Sequence, residues 1–282
     1  MAEIRIERAS VDDVRAIQAR RRVDDLTMRL SLVSADGAAA WVARDDGDVV
    51  GLAACDSTEE ERYLGDLYLA PSFRGHGVGT RLIEAAFEES GEATRAMAVD
   101  LSDASGVALS LRFGLPHYDV VLYLTGAIPK EEELASMAAG DYRFEVSPLD
   151  PAGHTFSLNA LDRETRGAVR PEAHRIWSAA ATGRAFFNQG EFVGYAYVWP
   201  DGRIGPCAVA SGAYARQIFA FCLLTLQRAY GASWCALVAP ASNLRVTRAA
   251  LRAGLHIDET FAIARDARSE LDRYIGFHKL AF

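Results

Sequence analysis

The sequence contains no long apolar segment. Its longest apolar run, Ile218 to Leu224, is far shorter than the roughly 20 residues that a membrane-spanning helix needs. The N-terminal residues also lack the basic stretch followed by an apolar stretch that marks a secretion signal. We therefore expect a cytoplasmic protein that has no membrane partner.

Cysteine and histidine are scarce and scattered. The four cysteines, Cys55, Cys207, Cys222 and Cys235, form no closely spaced pair, and the six histidines make no spacing typical of zinc ligands. Cysteine without such a pattern is usually a buried, small apolar residue. The sequence therefore predicts four buried cysteines and no metal site.

Basic residues are fewer than acidic ones. The chain has 30 Lys and Arg against 38 Asp and Glu, a net charge of −8. This balance argues against nucleic acid as a partner, because nucleic-acid binding needs a basic face. The deficit lies in residues 1–140, which carry 14 basic and 25 acidic side chains. Such an acidic half would attract a cationic molecule, although a solvated acidic surface is the simpler explanation.

What the sequence does contain is an internal repeat. Segments of the two halves resemble each other at an offset of about 140 residues, with apolar and glycine positions in register. The matching pairs are 48–54 with 191–197, 64–71 with 204–211, 97–103 with 237–243, and Gly114 with Gly254. The length allows two small domains, so we infer two copies of one fold.

The first copy alternates strand and helix patterns in the order β-α-β-β-β-α-β-α-β, which predicts a mixed sheet flanked by helices. Ser10 is a candidate N-cap for a helix over 11–22, and 45–48 is a candidate hairpin turn. The predicted organisation is a first domain over residues 1–128, a linker helix within 129–141 and a second domain over 142–282.

A glycine-rich loop is the segment most informative about chemistry. It reads Arg74-Gly-His-Gly-Val-Gly79 and precedes a helix whose apolar residues Leu82, Ile83, Ala86 and Phe87 share one face. Glycines allow a tight turn that gathers backbone N–H groups at a helix N-terminus, where the helix dipole favours an anion. The loop therefore predicts a phosphate site.

Two familiar phosphate loops fit this segment poorly. A Walker A loop requires a lysine before its Ser or Thr, whereas here Gly79 directly precedes Thr80. A dinucleotide loop would find its ribose-binding acid at Asp100, but Thr80 stands where the third glycine belongs. We therefore disfavour a nicotinamide-dependent oxidoreductase.

The pattern Arg-x-x-Gly-x-Gly, after a strand and a proline and before a helix, resembles the acetyl-CoA loop of the GCN5-related N-acetyltransferase (GNAT) superfamily. The order of elements over residues 3–125 is similar to the fold of that superfamily. The resemblance implies an α/β protein of two GNAT-like domains, each with a mixed, mostly antiparallel central sheet flanked by helices. It also implies an acyltransferase that moves acetyl from acetyl-CoA, its co-substrate, to a primary amine without a metal.

The resemblance assigns the cofactor-binding residues. The N–H groups of the loop would hold the pyrophosphate of coenzyme A, and the backbone of the preceding strand would pair with the pantetheine amides. Asp103 stands where the family often has an asparagine that contacts pantetheine. The expected cofactor-binding residues are Leu67, Leu69, Arg74, Gly75, His76, Gly77, Val78, Gly79, Thr80 and Asp103.

The candidates for catalysis are Asp66, Tyr68 and Ser110. Asp66 is the candidate general base, because an ammonium must lose its proton before it attacks. Ser110 stands where the family commonly has a tyrosine that protonates the leaving thiolate, and Tyr68, Tyr63 or water is the alternative donor. The acidic run 59–61 either binds the acceptor or, more simply, forms a solvated turn.

The second copy has lost the glycine loop. At the same offset, residues 214–219 contain no glycine, and Pro206 stands opposite Asp66. We therefore expect that only the first domain binds acetyl-CoA, while the second shapes the acceptor site or stabilises the first. The tryptophans expected to pack in a core or between domains are Trp177, Trp199 and Trp234.

The sequence leaves the acceptor open between a small-molecule amine and a protein amine. It also leaves the oligomeric state open, a homodimer included. Because Ser110 and Asp103 depart from the family pattern, the rival interpretation is a catalytically weak acyl-CoA-binding or regulatory module.

Overall fold

The computed structural model describes residues 4–21, 39–88, 90–140, 142–268 and 270–278. These residues form two compact units. Unit 1 comprises the chain up to Tyr118 together with Ile263–Ala267. Unit 2 comprises Asp119–Ala262 together with the residues from Arg268 onward.

The strands of the described residues are β1 (Arg5–Arg8), β2 (Ala39–Asp45), β3 (Asp48–Ser57), β4 (Glu61–Leu69), β5 (Thr94–Val99), β6 (His117–Ala127), β7 (Phe144–Pro148), β8 (Thr182–Asn188), β9 (Glu191–Val198), β10 (Arg203–Val209), β11 (Trp234–Pro240), β12 (His256–Arg265) and β13 (Tyr274–Ile275). The α-helices are α1 (Val11–Arg21), α2 (Val78–Phe87), α3 (Ala104–Arg112), α4 (Glu131–Ala138), α5 (Thr155–Arg166), α6 (Pro171–Ala180), α7 (Gly212–Tyr230) and α8 (Leu244–Arg252). A 3₁₀ turn, Pro71–Phe73, precedes α2.

The element order predicted for the first half is confirmed among the described residues. The second half repeats it with one further helix, α6, and one further strand, β13. In unit 1 the strand order is β1-β2-β3-β4-β5, with the end of β12 beside β5. In unit 2 the order is β12-β6-β11-β10-β9-β8-β7, and β13 pairs with β10. Pairing is mostly antiparallel, while β4–β5 and β10–β11 are parallel pairs.

The compact units differ from the predicted domain boundaries in two places: the first domain ends earlier, and it gains a segment from far along the chain. From Asp119 onward β6 belongs to unit 2, where it forms a seven-residue antiparallel ladder with β11. Conversely, Ile263–Ala267 belongs to unit 1, where the backbone N–H of Asp266 donates to the carbonyl of Arg95. Pairing with strands that are distant in sequence decides which unit each of these two segments joins. Local sequence patterns do not predict such pairing.

Local signals at the start of unit 1 act as predicted. The backbone N–H of Asp13 donates to Ser10 Oγ, and the N–H of Ser10 donates to a carboxylate oxygen of Asp13, so the two residues cap α1 reciprocally. Asp46 and Gly47 have φ values of 49° and 88°, as the tight turn between β2 and β3 requires. Residue 22, the predicted end of α1, lies outside the described residues.

Helix α2 buries the face that its sequence predicts. Leu82, Ile83, Ala86 and Phe87 all lie in the core of unit 1 with strands β2 to β5. Each large apolar side chain buried in this way contributes about 1.5–3 kcal/mol. This packing fixes the N-terminus of α2 close to the end of β4.

The predicted linker helix is part of unit 2. Leu134 of α4 is fully buried in the unit 2 core. Side-chain amides of α7 hold both ends of the segment: Gln227 Nε2 donates to the carbonyl of Pro129, and Gln217 Nε2 donates to those of Ala138 and Tyr142. The linker therefore packs firmly against α7.

All four cysteines are free and buried, as predicted. Burial raises the pKa of Cys55, Cys222 and Cys235 to about 12, so these thiols stay protonated and act as apolar residues.

Trp177 and Trp199 are buried, but Trp234 is 44 % exposed, so the packing prediction is wrong for Trp234. No helix in the described part of the chain is both long and apolar enough to cross a membrane.

Candidate active site

The glycine loop joins the end of β4 to the start of α2. Gly75 and Gly77 both have φ of +78°, a left-handed conformation that strains any residue with a Cβ. A Cβ at either position would meet no atom within 4 Å, so both glycines face open space. Arg74 Nε donates to the carbonyl of Leu69 at 3.2 Å and ties the loop to the strand.

The strands beside the loop separate. The parallel ladder between β4 and β5 runs from Glu61 to Leu64 and ends at the pair Leu64 and Met97. The pairing of β4 with β3 shifts register between Leu64 and Asp66, at Gly65, and then continues to Leu69. Among the described residues, no strand pairs with the outer half of β4 on the β5 side.

A cleft of about 350 Å³ opens at this separation. One wall is formed by Leu67, Leu69 and the glycine loop, and the other by the N-terminal and central turns of α3. The lining residues are Leu67, Leu69, Arg74, Gly75, Gly77, Gly79, Thr80, Asp103, Ser105, Gly106, Ala108, Leu109 and Arg112. Two helix N-termini, those of α2 and α3, thus reach one cleft, and both favour negative charge.

Most of the residues predicted to bind the cofactor line this cleft. Two do not: His76 is exposed in the loop, and Val78 is buried in the core. Sequence reasoning missed the α3 residues that line the cleft, although the helix begins directly after Asp103: Ser105, Gly106, Ala108, Leu109 and Arg112.

Asp103 is the N-cap of α3. One of its carboxylate oxygens accepts a hydrogen bond from the backbone N–H of Ser105 at 3.0 Å. A carboxylate only accepts hydrogen bonds, whereas the asparagine of the family pattern can also donate. Toward a ligand in the cleft, Asp103 can therefore offer an acceptor and no donor.

Asp66 and Tyr68 lie on β4 but do not line the cleft. Because alternate residues of a strand face opposite sides, Leu67 and Leu69 face the cleft while Asp66 and Tyr68 face the other side of β4. Asp66 is 4 % exposed and lies opposite Ala54 of β3. The structure thus separates the predicted base from the predicted cofactor-binding residues by the width of one strand.

Ser110 is fully buried and does not reach the cleft. Its hydroxyl donates to the carbonyl of Val107 at 2.8 Å, so the hydroxyl of Tyr118, 2.5 Å away, is the donor in the second contact. Sequence reasoning missed Tyr118, for which the only local signal is its place eight residues after Ser110 at the start of β6.

The acidic run before β4 is only partly a solvated turn. Glu59 is exposed, but Glu61 is 3 % exposed and pairs with Arg265 at 2.8 Å. Arg265 is itself buried and belongs to the part of β12 in unit 1. The solvated-turn interpretation is therefore wrong for Glu61, whose charge has a structural partner.

Unit 2 contains a buried ionic cluster. Asp162 Oδ2 lies 3.0 Å from His174 Nε2 and 3.5 Å from Arg170 Nε, and Tyr195 donates to the other carboxylate oxygen. Burial acts to raise the pKa of Asp162, but the charge of Arg170 and the hydrogen bond of His174 outweigh it and lower that pKa to about 2. Arg170 also donates to the hydroxyl of Tyr274 at 2.6 Å.

The comparisons with known proteins agree with this arrangement. The sequence model of the acetyltransferase (GNAT) family matches residues 7–114. An uncharacterized N-acetyltransferase of Archaeoglobus fulgidus is 39 % identical over 74 residues, which are 24 % of this chain and 50 % of that protein. The chain thus covers about half of the length of this curated relative.

Solved structures resemble the chain over nearly its full length. A putative acetyltransferase from Pyrococcus horikoshii has a TM-score of 0.71 and 14 % identity, covering 99 % of this chain and 96 % of that one. A GCN5-related N-acetyltransferase from Sphaerobacter thermophilus has a TM-score of 0.65 and 16 % identity over 94 % and 96 %. A tandem GNAT protein from the clavulanic acid biosynthesis pathway has a TM-score of 0.62 and 14 % identity over 95 % and 100 %. At these identities the likeness shows the fold alone.

The family match over residues 7–114 therefore confirms the resemblance indicated by the glycine loop. The predicted fold class, an α/β protein with a mostly antiparallel mixed sheet flanked by helices, is confirmed as well.

Proposed function

We propose that the protein is an N-acetyltransferase that moves an acetyl group from acetyl-CoA to a primary amine. The observation that carries this proposal is the meeting of three elements at the cleft of unit 1: the outer half of β4, the glycine loop and the N-terminus of α3. The matched family supports the reaction class, and the cleft offers a place for the cofactor.

The pyrophosphate of acetyl-CoA would lie against residues 74–80. The N–H groups in the first turn of a helix have no acceptor within the helix, and Gly77, the N-cap of α2, has no side chain to occupy them. Each hydrogen bond from such a group to a phosphate oxygen contributes about 1.5–3 kcal/mol. Arg74 would hold the loop in shape, because its side chain is already bonded to Leu69.

The pantetheine arm would run along the outer half of β4. Leu67 and Leu69 lie in the cleft wall, and their backbone groups on the β5 side would bond the two amides of the arm. Asp103 lies in the cleft wall along which the arm would pass. One N–H of β4 would stabilise the oxygen of the thioester as negative charge develops there, which is often the largest single contribution to acyl transfer.

The chemistry would take place beside Asp66. The amine nitrogen attacks the thioester carbon, an N–C bond forms, and the C–S bond breaks with the sulfur leaving as a thiolate. We assign removal of the amine proton to Asp66, on the side of β4 opposite the cofactor. A thiol has a pKa of about 8.5, so the thiolate leaves readily, and Tyr68 or water would supply the final proton.

The acceptor would be a small-molecule amine or an amine of a protein. The acidic excess of residues 1–140 supports a positively charged acceptor, because opposite charge raises its encounter rate. Only unit 1 would take acetyl-CoA, since residues 214–219 of unit 2 contain no glycine.

Calorimetry with acetyl-CoA tests the cofactor assignment. Gly77→Val should weaken binding at least about 100-fold, because its side chain stands where the phosphates approach. Gly47→Val is the matched control: it has a similar φ of +88° and equally open space, but lies in the β2–β3 turn. Equal affinity in the Gly77→Val and Gly47→Val variants would contradict the proposal.

A thiol-release assay with a panel of amines tests the reaction. We expect coenzyme A to be released only when a suitable amine is present. If acetyl-CoA binds tightly but no small-molecule or protein amine causes release of coenzyme A, the protein is an acyl-CoA-binding module and not an enzyme. The burial of Ser110, which leaves it unable to protonate a leaving thiolate, would be consistent with that outcome.

A further inference from the structure

The two parallel strand pairs of the chain separate at equivalent residues. In unit 1 the β4–β5 ladder ends at Leu64 and Met97. In unit 2 the β10–β11 ladder ends at Ile204 and Leu237, which are the same two positions at the offset of 140. Both units therefore build the same opening between the same two strands.

In unit 2 the chain fills that opening with its own segment, residues 271–277, which we call the strap. Beyond Ile204, β10 pairs with the strap, Cys207 with Ile275 and Ala208 with Tyr274. On the other side, Gly276 bridges to Val238 of β11. The strap thus lies between the two separated strands and bonds to both.

The hydrogen bonds of the strap run along its length. The backbone N–H of Val209 donates to the carbonyl of Arg273 at 3.1 Å, and the N–H of Gly276 donates to the carbonyl of Val238 at 2.8 Å. These bonds satisfy backbone groups that the separation of β10 and β11 would otherwise leave buried and unsatisfied, at a cost of about 1–3 kcal/mol each.

Asn243 holds the strap at its centre. It is the N-cap of α8 and stands at the offset of 140 from Asp103, the N-cap of α3 in the cleft of unit 1. Its Oδ1 accepts from the N–H of Val246, and its Nδ2 donates to the carbonyl of Tyr274 at 3.0 Å. The cap that faces the open cleft in unit 1 therefore bonds to the strap in unit 2.

The strap is also packed into the core. Leu271, Tyr274 and Ile275 are each 2 % exposed or less, and Phe277 stacks on Trp199 with ring centroids 4.4 Å apart. A Cβ on Gly205 would overlap the carbonyl oxygen of Gly276, so only glycine admits the strap at this point.

We propose that the strap permanently fills the opening between β10 and β11 in unit 2. In unit 1, the extended arm of the cofactor would lie in the equivalent opening between β4 and β5. The comparison with unit 1 rests on the proposed function, whereas the occupancy of unit 2 does not. The consequence is a closed second unit and a single acetyl-CoA site per chain.

The position equivalent to the glycine loop is also filled in unit 2. Gln217 stands at the offset of 140 from Gly77, and its side chain donates to the carbonyls of Ala138 and Tyr142. There the side chain would exclude a phosphate.

Hydrogen exchange on the full chain tests the strap without any ligand. Asn243→Asp keeps the oxygen that caps α8 but removes the donor to Tyr274, so the amides of Val209 and Gly276 should exchange about tenfold faster. Amides of α2 and β4 should be unchanged. Asn188→Asp, at the β8–β9 turn of the same unit, is the matched control and should leave both strap amides slow.

Gly205→Ala provides an independent variant, because its methyl group would overlap the carbonyl oxygen of Gly276, whereas Asn243 bonds to the carbonyl of Tyr274. If both variants exchange at the wild-type rate at Val209 and Gly276, the strap is not held as proposed. Calorimetry of the wild type adds a second readout. Two equivalents of acetyl-CoA per chain would overturn the strap proposal, whereas no binding at all would overturn the proposed function and leave the exchange result standing.

Discussion

The two strand openings of this chain differ in what occupies them. In unit 1 the ladder between β4 and β5 stops at Leu64, and Leu67 and Leu69 face a cleft. In unit 2 the equivalent opening after Ile204 is closed by the strap. The same strand geometry thus produces either an open cleft or a closed core. A binding site requires that backbone groups be left for a ligand, whereas a purely structural unit satisfies them internally.

The largest effect on activity is expected from substituting Asp66, whose equivalent position in unit 2 is occupied by Pro206. Asp66→Asn should lower kcat by about 10²–10⁴-fold, the contribution typical of a general base, without changing the KM for acetyl-CoA. Steady-state kinetics with a reactive amine measures both constants. Glu59→Gln, at an exposed acidic residue near the start of β4, should behave like the wild type. A kcat within threefold of wild type for Asp66→Asn would remove Asp66 from the mechanism.

Acid should weaken unit 2 through Asp162. Its pKa falls from 3.8 to about 2 on folding, so the ionised carboxylate contributes about 2 kcal/mol above pH 4. That contribution is lost as the pH falls from about 4 towards 2, because the folded state then gives up the charge that it stabilises.

Urea unfolding between pH 7 and pH 2 measures this contribution. The free energy of unfolding of Asp162→Asn should lie below that of wild type at neutral pH, and the gap should narrow below pH 4. Asp201→Asn is the control, since its pair with Arg203 is half exposed and should contribute less than about 1 kcal/mol. A gap that stays constant down to pH 2 would contradict the assignment.

The smallest effect is expected from giving unit 1 the N-cap residue of unit 2. Asp103→Asn keeps an oxygen for the N–H of Ser105, and Asn and Asp cap helices about equally well. The new amide can donate to a pantetheine carbonyl, so the affinity for acetyl-CoA should rise about threefold while the thermal midpoint stays within about 2 °C. Weaker binding by Asp103→Asn would show that the carboxylate is required in the cleft.

Much of unit 1 could be predicted from local pattern. The cap of α1 at Ser10, the turn at Asp46 and Gly47, and the apolar face of α2 each depend on residues within a few positions of one another. The glycine loop belongs to the same class, because its two left-handed residues had to be glycine. Local requirements of this kind leave a direct mark in the sequence.

The misinterpreted features depend on distant partners. Glu61 reads as part of a solvated acidic run, but Arg265, 204 residues later, buries and neutralises it. From its position in the sequence, Ser110 is expected to stand in for the proton donor near the cofactor. In the structure it faces the core, where it accepts a hydrogen bond from the hydroxyl of Tyr118. No spacing rule connects these pairs, because sheet pairing brings them together.

The sequence by itself determined the repeat, because apolar and glycine positions stay in register at an offset of 140. It also determined the glycine loop and the loss of that loop in the second copy, because only glycine adopts the left-handed turns of the loop without strain. Only the tertiary structure decided that β6 joins unit 2 from Asp119 onward and that residues 271–277 fill the second opening. These outcomes depend on which buried backbone groups find partners across the fold, and a segment of five to ten residues carries no record of partners far along the chain.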